Sequence, residues 1–366
     1  MMRWLAYKVV SWLRLAARYS SIELLGRALY YSGLLFLVGM LRQRFGKKRL
    51  IIPMYHRVRD PSAIDETALL DVQVGVPADL FERQLRVFRW FGPLMTLDEA
   101  FKHLHDPTGV SQTAIALTFD DGYRDNITHA LPVLLRNGVR ATLFPVTRTA
   151  SGGRPLWWDE LTDTLSKART NGQGLSRYLA GVEELVFSPA DRLRLGLDLS
   201  HRAAAEFLGD RLLELRATRR EQLLRSLASR LGVTPEQRAI ESRYADWDEL
   251  RSAAALGFEI GGHTTDHTVL CLEDPMEAQT QIKRCRCLLE EKLASPVRSF
   301  AYPNGGHDAT VRALTAAAGY RLAVTTQCGV NFATTDPFQL RRMPVHCERP
   351  FHLALKLAFY DFVRPK

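Results

Sequence analysis

A strand that runs into two adjacent carboxylates constrains this 366-residue chain more than any other segment. Ala114, Ile115, Ala116 and Leu117 form an apolar lead into Thr118-Phe119-Asp120-Asp121-Gly122-Tyr123. A short apolar run closed by a turn glycine reads as a buried strand, so the acids arrive at the rim of a sheet and not in its core. Burying two neighbouring carboxylates without partners costs several kcal/mol. Either they are solvated in an Asp-Gly turn, or another part of the chain compensates them.

The candidate partner is Gly261-Gly262-His263-Thr264-Thr265-Asp266-His267. Histidines four apart share a helical face or converge from a tight loop, and imidazole is the commonest protein metal ligand. Two imidazole nitrogens and one carboxylate oxygen leave coordination positions open, as a catalytic metal site requires. A His-x-x-x-His pair by itself is more often surface or core histidine. The strand-like Phe258, Glu259 and Ile260 and the two glycines before it favour a rim loop.

With Phe300-Ala301-Tyr302-Pro303-Asn304-Gly305 and Pro53-Met54-Tyr55-His56-Arg57-Val58, these segments occur in the order seen in a known family. The chain resembles the polysaccharide deacetylases, the NodB-like domain of carbohydrate esterase family 4, over about residues 51–150 and 245–346. The resemblance implies an α/β fold: a distorted (β/α) barrel with its site at the C-terminal strand ends. It implies Asp120 as general base, and Asp121, His263 and His267 as ligands of a divalent metal. Zinc suits that set, with cobalt, nickel or manganese as alternatives. The backbone N–H of Asn304 would face the oxyanion. Candidate substrate-binding residues are Tyr123, Tyr302, Pro303 and Trp157.

Two positions depart from the family pattern. The usual order places an acid histidine in a Leu-x-His segment near the C-terminal end, where this chain reads Leu340-Arg341-Arg342-Met343-Pro344-Val345-His346. In circularly permuted relatives the acid comes from an N-terminal strand, and His56, ending the apolar run from Leu50, fits that placement better; His346 is the alternative. Ala301 stands where many relatives have an arginine that orients the catalytic aspartate. Arg124 and Arg342 are the candidates to replace it.

Charge separates the ends of the chain. Residues 1–50 hold ten Lys/Arg against one acid, Glu23, whereas residues 51–366 hold 39 of each sign. The basicity therefore belongs to an N-terminal segment. With no phosphate-cradling glycine loop and no aromatic-basic stripe, a nucleic-acid partner is not expected. Ala28 to Leu41 is uncharged for fourteen residues, short of a bilayer span, and no small-residue cleavage site follows it. Upstream, Trp4 to Ala16 mixes apolar residues with basic ones, as an interfacial helix does. Residues 1–50 thus read as a basic helical segment suited to an anionic membrane surface; a helix pair packed on the enzyme is the competing reading. Five cysteines without paired spacing fit a reducing compartment, so a bacterial cytoplasmic or cytoplasmic-face location is expected.

Residues 51–366 read as one deacetylase domain interrupted at about 150–245 by Leu- and Arg-rich helical sequence. Trp157 and Trp158 open that insertion; they suit packing against the barrel better than stacking on sugar rings. The expected activity is metal-dependent removal of N-acetyl groups from an amino sugar in a polysaccharide, oligosaccharide or glycolipid. The alternatives are a silent glycan-binding relative, motivated by Ala301, and a different metallohydrolase.

Overall fold

A computed structural model describes residues 23–60, 75–108, 111–170, 201–233 and 243–360. The expected interfacial helix upstream of residue 23 lies outside them. Seven parallel strands form one sheet: β1 (Pro53–Tyr55), β2 (Thr118–Asp121), β3 (Thr142–Pro145), β4 (Glu259–Ile260), β5 (Ser299–Ala301), β6 (Leu322–Cys328) and β7 (Leu340–Pro344). They lie side by side in the order β5-β6-β7-β1-β2-β3-β4. The two edges meet just beyond β4, where Gly262 N–H donates to Ser299 O (2.9 Å) and Ala301 N–H to Gly262 O (2.9 Å). The strands thus follow chain order around an almost closed (β/α) barrel. Most of their residues are buried, because both faces of the sheet are covered.

Strand alternation sorts the side chains into two layers. Tyr55, Phe119, Leu143, Phe300, Ala323 and Met343 pack in the large cluster shared with the surrounding helices. Their neighbours Phe144, Ala301, Val324 and Leu340 pack in a separate cluster, toward the barrel axis. Asp120 is one residue beyond Phe119, and Arg342 two beyond Leu340, so both project along the axis. The sequence reading assigns no strand to residues 340–346; β7 is the strand it lacks, and an arginine at an inward position hides its alternation.

Between β3 and β4 the helices Trp157–Thr170, His201–Leu213 and Ala217–Arg230 pack on one another through Leu161, Leu165, Leu208, Leu223 and Leu227. Arg148 fastens this subassembly to the barrel by pairing with Glu221 (3.1 Å) and Asp266 (3.1 Å). Residues 171–200, part of the expected insertion, lie outside the described set.

Candidate active site

The adjacent acids share one cavity because the strand breaks between them. Alternation would turn Asp121 away from Asp120, but Asp121 has a left-handed backbone (φ 74°) and swings its carboxylate back to the mouth. Among the described residues five non-glycine residues have positive φ, and four of them, Asp121, Thr264, His267 and Asn304, lie in the mouth segments. Each costs about 1–3 kcal/mol and persists only where its surroundings over-determine it.

The histidine loop shows how. A Cβ on Gly261 would stand 2.3 Å from the Phe144 ring, so only glycine lets the loop cross the barrel at that depth. Gln281, buried on the helix Pro275–Leu293, accepts from Thr265 N–H (3.2 Å) and Asp266 N–H (3.0 Å) and donates to the Asp266 carboxylate (2.7 Å). Arg148 N–H donates to Thr265 O (3.0 Å) from the other side. His263 Nδ1 lies 2.7 Å from Ala301 O; a carbonyl only accepts, so Nδ1 carries a proton, and in the neutral ring Nε2 presents a lone pair.

The Nε2 atoms of His263 and His267 are each 3.4 Å from Asp121 Oδ1. The three ligand atoms fall within 4.8 Å of one another. Asp121 Oδ1 is buried and lacks a hydrogen-bond donor, a state that costs stability unless a cation lies against it. Burial pushes the Asp121 carboxyl up; protons on the facing ring nitrogens of His263 and His267 would outweigh that and hold the group well below the usual carboxylate range. Burial pushes His267 down to about 4, leaving the ring neutral and able to ligate. One carboxylate oxygen and two imidazole nitrogens therefore fit a divalent metal.

Asp120 is compensated differently. Arg342 Nη1 and Nη2 donate to its two oxygens, both at 2.7 Å, and Arg342 Nε donates to Thr325 O (2.7 Å). Both side chains are almost fully enclosed. Burial would raise the Asp120 carboxyl; Arg342, then His263, bring it below its ordinary value. Arg342 thus makes, from β7, the contact that Ala301 on β5 cannot. Arg124 instead pairs with Glu249 (3.1 Å) and Asp246 (3.4 Å).

A cavity of about 300 Å³ opens above these groups, lined also by Met54, His56, Tyr123, Trp157, Trp158, Leu213, Asn304 and Thr326. The structure brings His56, Asp120, Asp121, His263, His267 and Asn304 to one cavity. His346 is not among the lining residues: it is exposed, with its N–H on Glu348 (2.7 Å). Tyr302 and Pro303, expected at the substrate surface, are corrected. Both are buried and absent from the lining, and Tyr302 stacks on His307 (5.0 Å). The cause is alternation: Ala301 takes the inward position, so Tyr302 must face the helices.

Tyr123 does line the cavity, its hydroxyl donating to Asp159 (2.9 Å) and accepting from Trp158 Nε1 (2.7 Å). Trp157 reaches the cavity edge while packing in the insertion core under Arg220 (5.0 Å). Trp158 lies edge-on to His267, 4.5 Å between centroids. Leu213 and Thr326 carry no sequence signal for this site.

Residues 108–173 and 228–323 match the polysaccharide deacetylase family model, so the part of the chain that carries the site has the pattern of that family. A Bacillus subtilis protein, YxkH, whose name places it among polysaccharide deacetylases, is 30% identical over 102 residues, which are 28% of this chain and 33% of that protein. This chain therefore aligns with about a third of that relative. In structure it is similar to the Streptococcus pyogenes deacetylase PplD, solved with acetate (TM-score 0.56, 17% identity, 84% of this chain and 98% of that one). IcaB from Ammonifex degensii is also similar (TM-score 0.53, 17% identity, 85% and 98%). At such identities the likeness bears on the fold, a NodB-like barrel.

Proposed function

We propose that this chain is a metal-dependent hydrolase that removes N-acetyl groups from an amino sugar in a polysaccharide, oligosaccharide or glycolipid. One observation carries the reading: a carboxylate clamped by arginine stands beside an Asp-His-His set in a single cavity. Asp121, His263 and His267 would hold the metal, zinc by preference. When bound there, a divalent ion supplies Lewis acidity, making water a better nucleophile and polarising an acetamide carbonyl.

The chain's own groups complete the chemistry. Asp120, kept ionised and oriented by Arg342, accepts the proton of the attacking water. The backbone N–H of Asn304 faces the developing oxyanion. An amine leaves only when protonated, and His56 in the cavity wall delivers that proton. Trp158, Tyr123 and Leu213 confine the sugar. A silent glycan-binding role draws its motive from Ala301, and Arg342 weakens that motive by holding Asp120 in its place. The test is acetate release from N-acetylglucosamine oligomers by protein stripped with chelator, then reloaded with zinc, cobalt, nickel or manganese. The reading predicts turnover that vanishes on stripping and returns on reloading; hydrolysis of aryl acetates alone would overturn it.

A further inference from the structure

The helix Leu34–Phe45 is docked on the enzyme by one face and presents hydrocarbon on the other. Leu35 and Gly39 are buried. A Cβ on Gly39 would stand 2.4 Å from the Trp90 carbonyl oxygen, so the helix rests backbone to backbone on Ala78–Phe91 and cannot roll. Leu34, Phe36, Leu37, Met40, Leu41 and Phe45 are 41–77% exposed. With Leu24, Leu25 and Tyr31 they make nine of the fourteen exposed large apolar side chains among the described residues. Isolated exposed leucines are ordinary, but a contiguous set marks an interaction surface.

An apolar groove of about 890 Å³ runs along this face, bounded by Phe36, Met40 and Phe45 and by Trp90, Pro93 and Val139. Gly138 and Val139, which also line the groove, lead into β3, so the groove is at the end of the barrel where strands begin, opposite the mouth. The preceding helix, Glu23–Tyr31, meets Leu34–Phe45 at 70°, and no single helix among the described residues is long and apolar enough to cross a membrane. By length and composition the two helices meet the requirement for a membrane segment only together, as a bent pair.

Charge selects the occupant. Arg44 and Lys47 are exposed beside the apolar face. Glu23, the one acid in residues 1–50, is paired with Arg27 (2.6 Å) and Arg349 (3.3 Å). A second copy of this chain would bring the same positive segment against itself. We infer that this face docks on an anionic lipid bilayer: the leucines, phenylalanines and Met40 enter the acyl boundary, and Arg44 and Lys47 meet the headgroups. Docking in this pose leaves the mouth open on the far end of the barrel.

The experiment is flotation of the full chain with phosphatidylcholine vesicles, with and without phosphatidylglycerol. Phosphatidylglycerol should raise the bound fraction about tenfold, and 1 M salt should reverse that gain. The double variant Leu37→Glu, Met40→Glu should lose about tenfold in binding while its melting curve and acetate release from soluble oligosaccharide stay as in the parent. Independently of any variant, phosphatidylglycerol vesicles should slow amide exchange across residues 34–45. Parent protein left in the soluble fraction would overturn the inference. So would a double variant that floats like the parent, exchange unchanged over 34–45, or a lipid-free dimer that the same substitutions dissolve, which would assign the face to a second copy.

Discussion

At the barrel mouth Asp120, Asp121, His263, His267 and Arg342 are at most 3% exposed, whereas along Leu34–Phe45 six large apolar side chains are at least 41% exposed. Both regions invert the usual partition of side chains between inside and outside. The mouth compensates part of its inversion internally: Arg342 neutralises Asp120, and left-handed residues hold the histidines facing Asp121, whose buried Oδ1 still calls for a cation. The helix has no internal compensation for its outer face, which points to a partner outside the chain. Charge inside thus signals chemistry, and hydrocarbon outside signals attachment.

The largest expected break falls at the mouth. Asp120→Asn should keep metal content and lower turnover about 10²–10⁴-fold, measured by acetate release beside metal analysis; a variant of near-parental activity would remove the base assignment. Arg342→Gln strands a buried carboxylate and should cost about 3–5 kcal/mol in denaturant unfolding. The double variant Asp120→Asn, Arg342→Gln should recover part of that loss, since no buried charge remains unpaired; additive losses would mean that the pair does not act as one unit. At the helix, Gly39→Leu should cost about 1–3 kcal/mol by driving the side chain into the Trp90 carbonyl, read as a lower thermal midpoint. Smallest of all, Leu37→Glu should stay within about 0.5 kcal/mol of the parent, because the side chain makes no core contact. A large loss there would show that the outer face is covered by protein.

Much of the barrel was legible because its strands carry short apolar runs, as in Thr142–Pro145, Ser299–Ala301 and the first half of Leu322–Cys328. The strand Leu340–Pro344 was not, since Arg341 and Arg342 mask its alternation. The direction of Tyr302 was also hidden: an aromatic beside a site motif looks like a sugar platform until the inward position is seen to belong to Ala301. Thr326 and Leu213 were beyond reach, being ordinary residues brought to the cavity by distant strands and helices.

The residue order by itself determined the chemistry on offer: two carboxylates at a strand end, two histidines four apart after paired glycines, and a positive charge confined to the first fifty residues. Those are properties of local spacing and composition. Only the tertiary structure decided that His56 lines the cavity while His346 does not, and that Arg342 and not Arg124 clamps Asp120. In a closed parallel barrel the axis is shared by strands far apart in the chain. Asp120 and Arg342, 222 residues apart, become partners only when β7 closes beside β1.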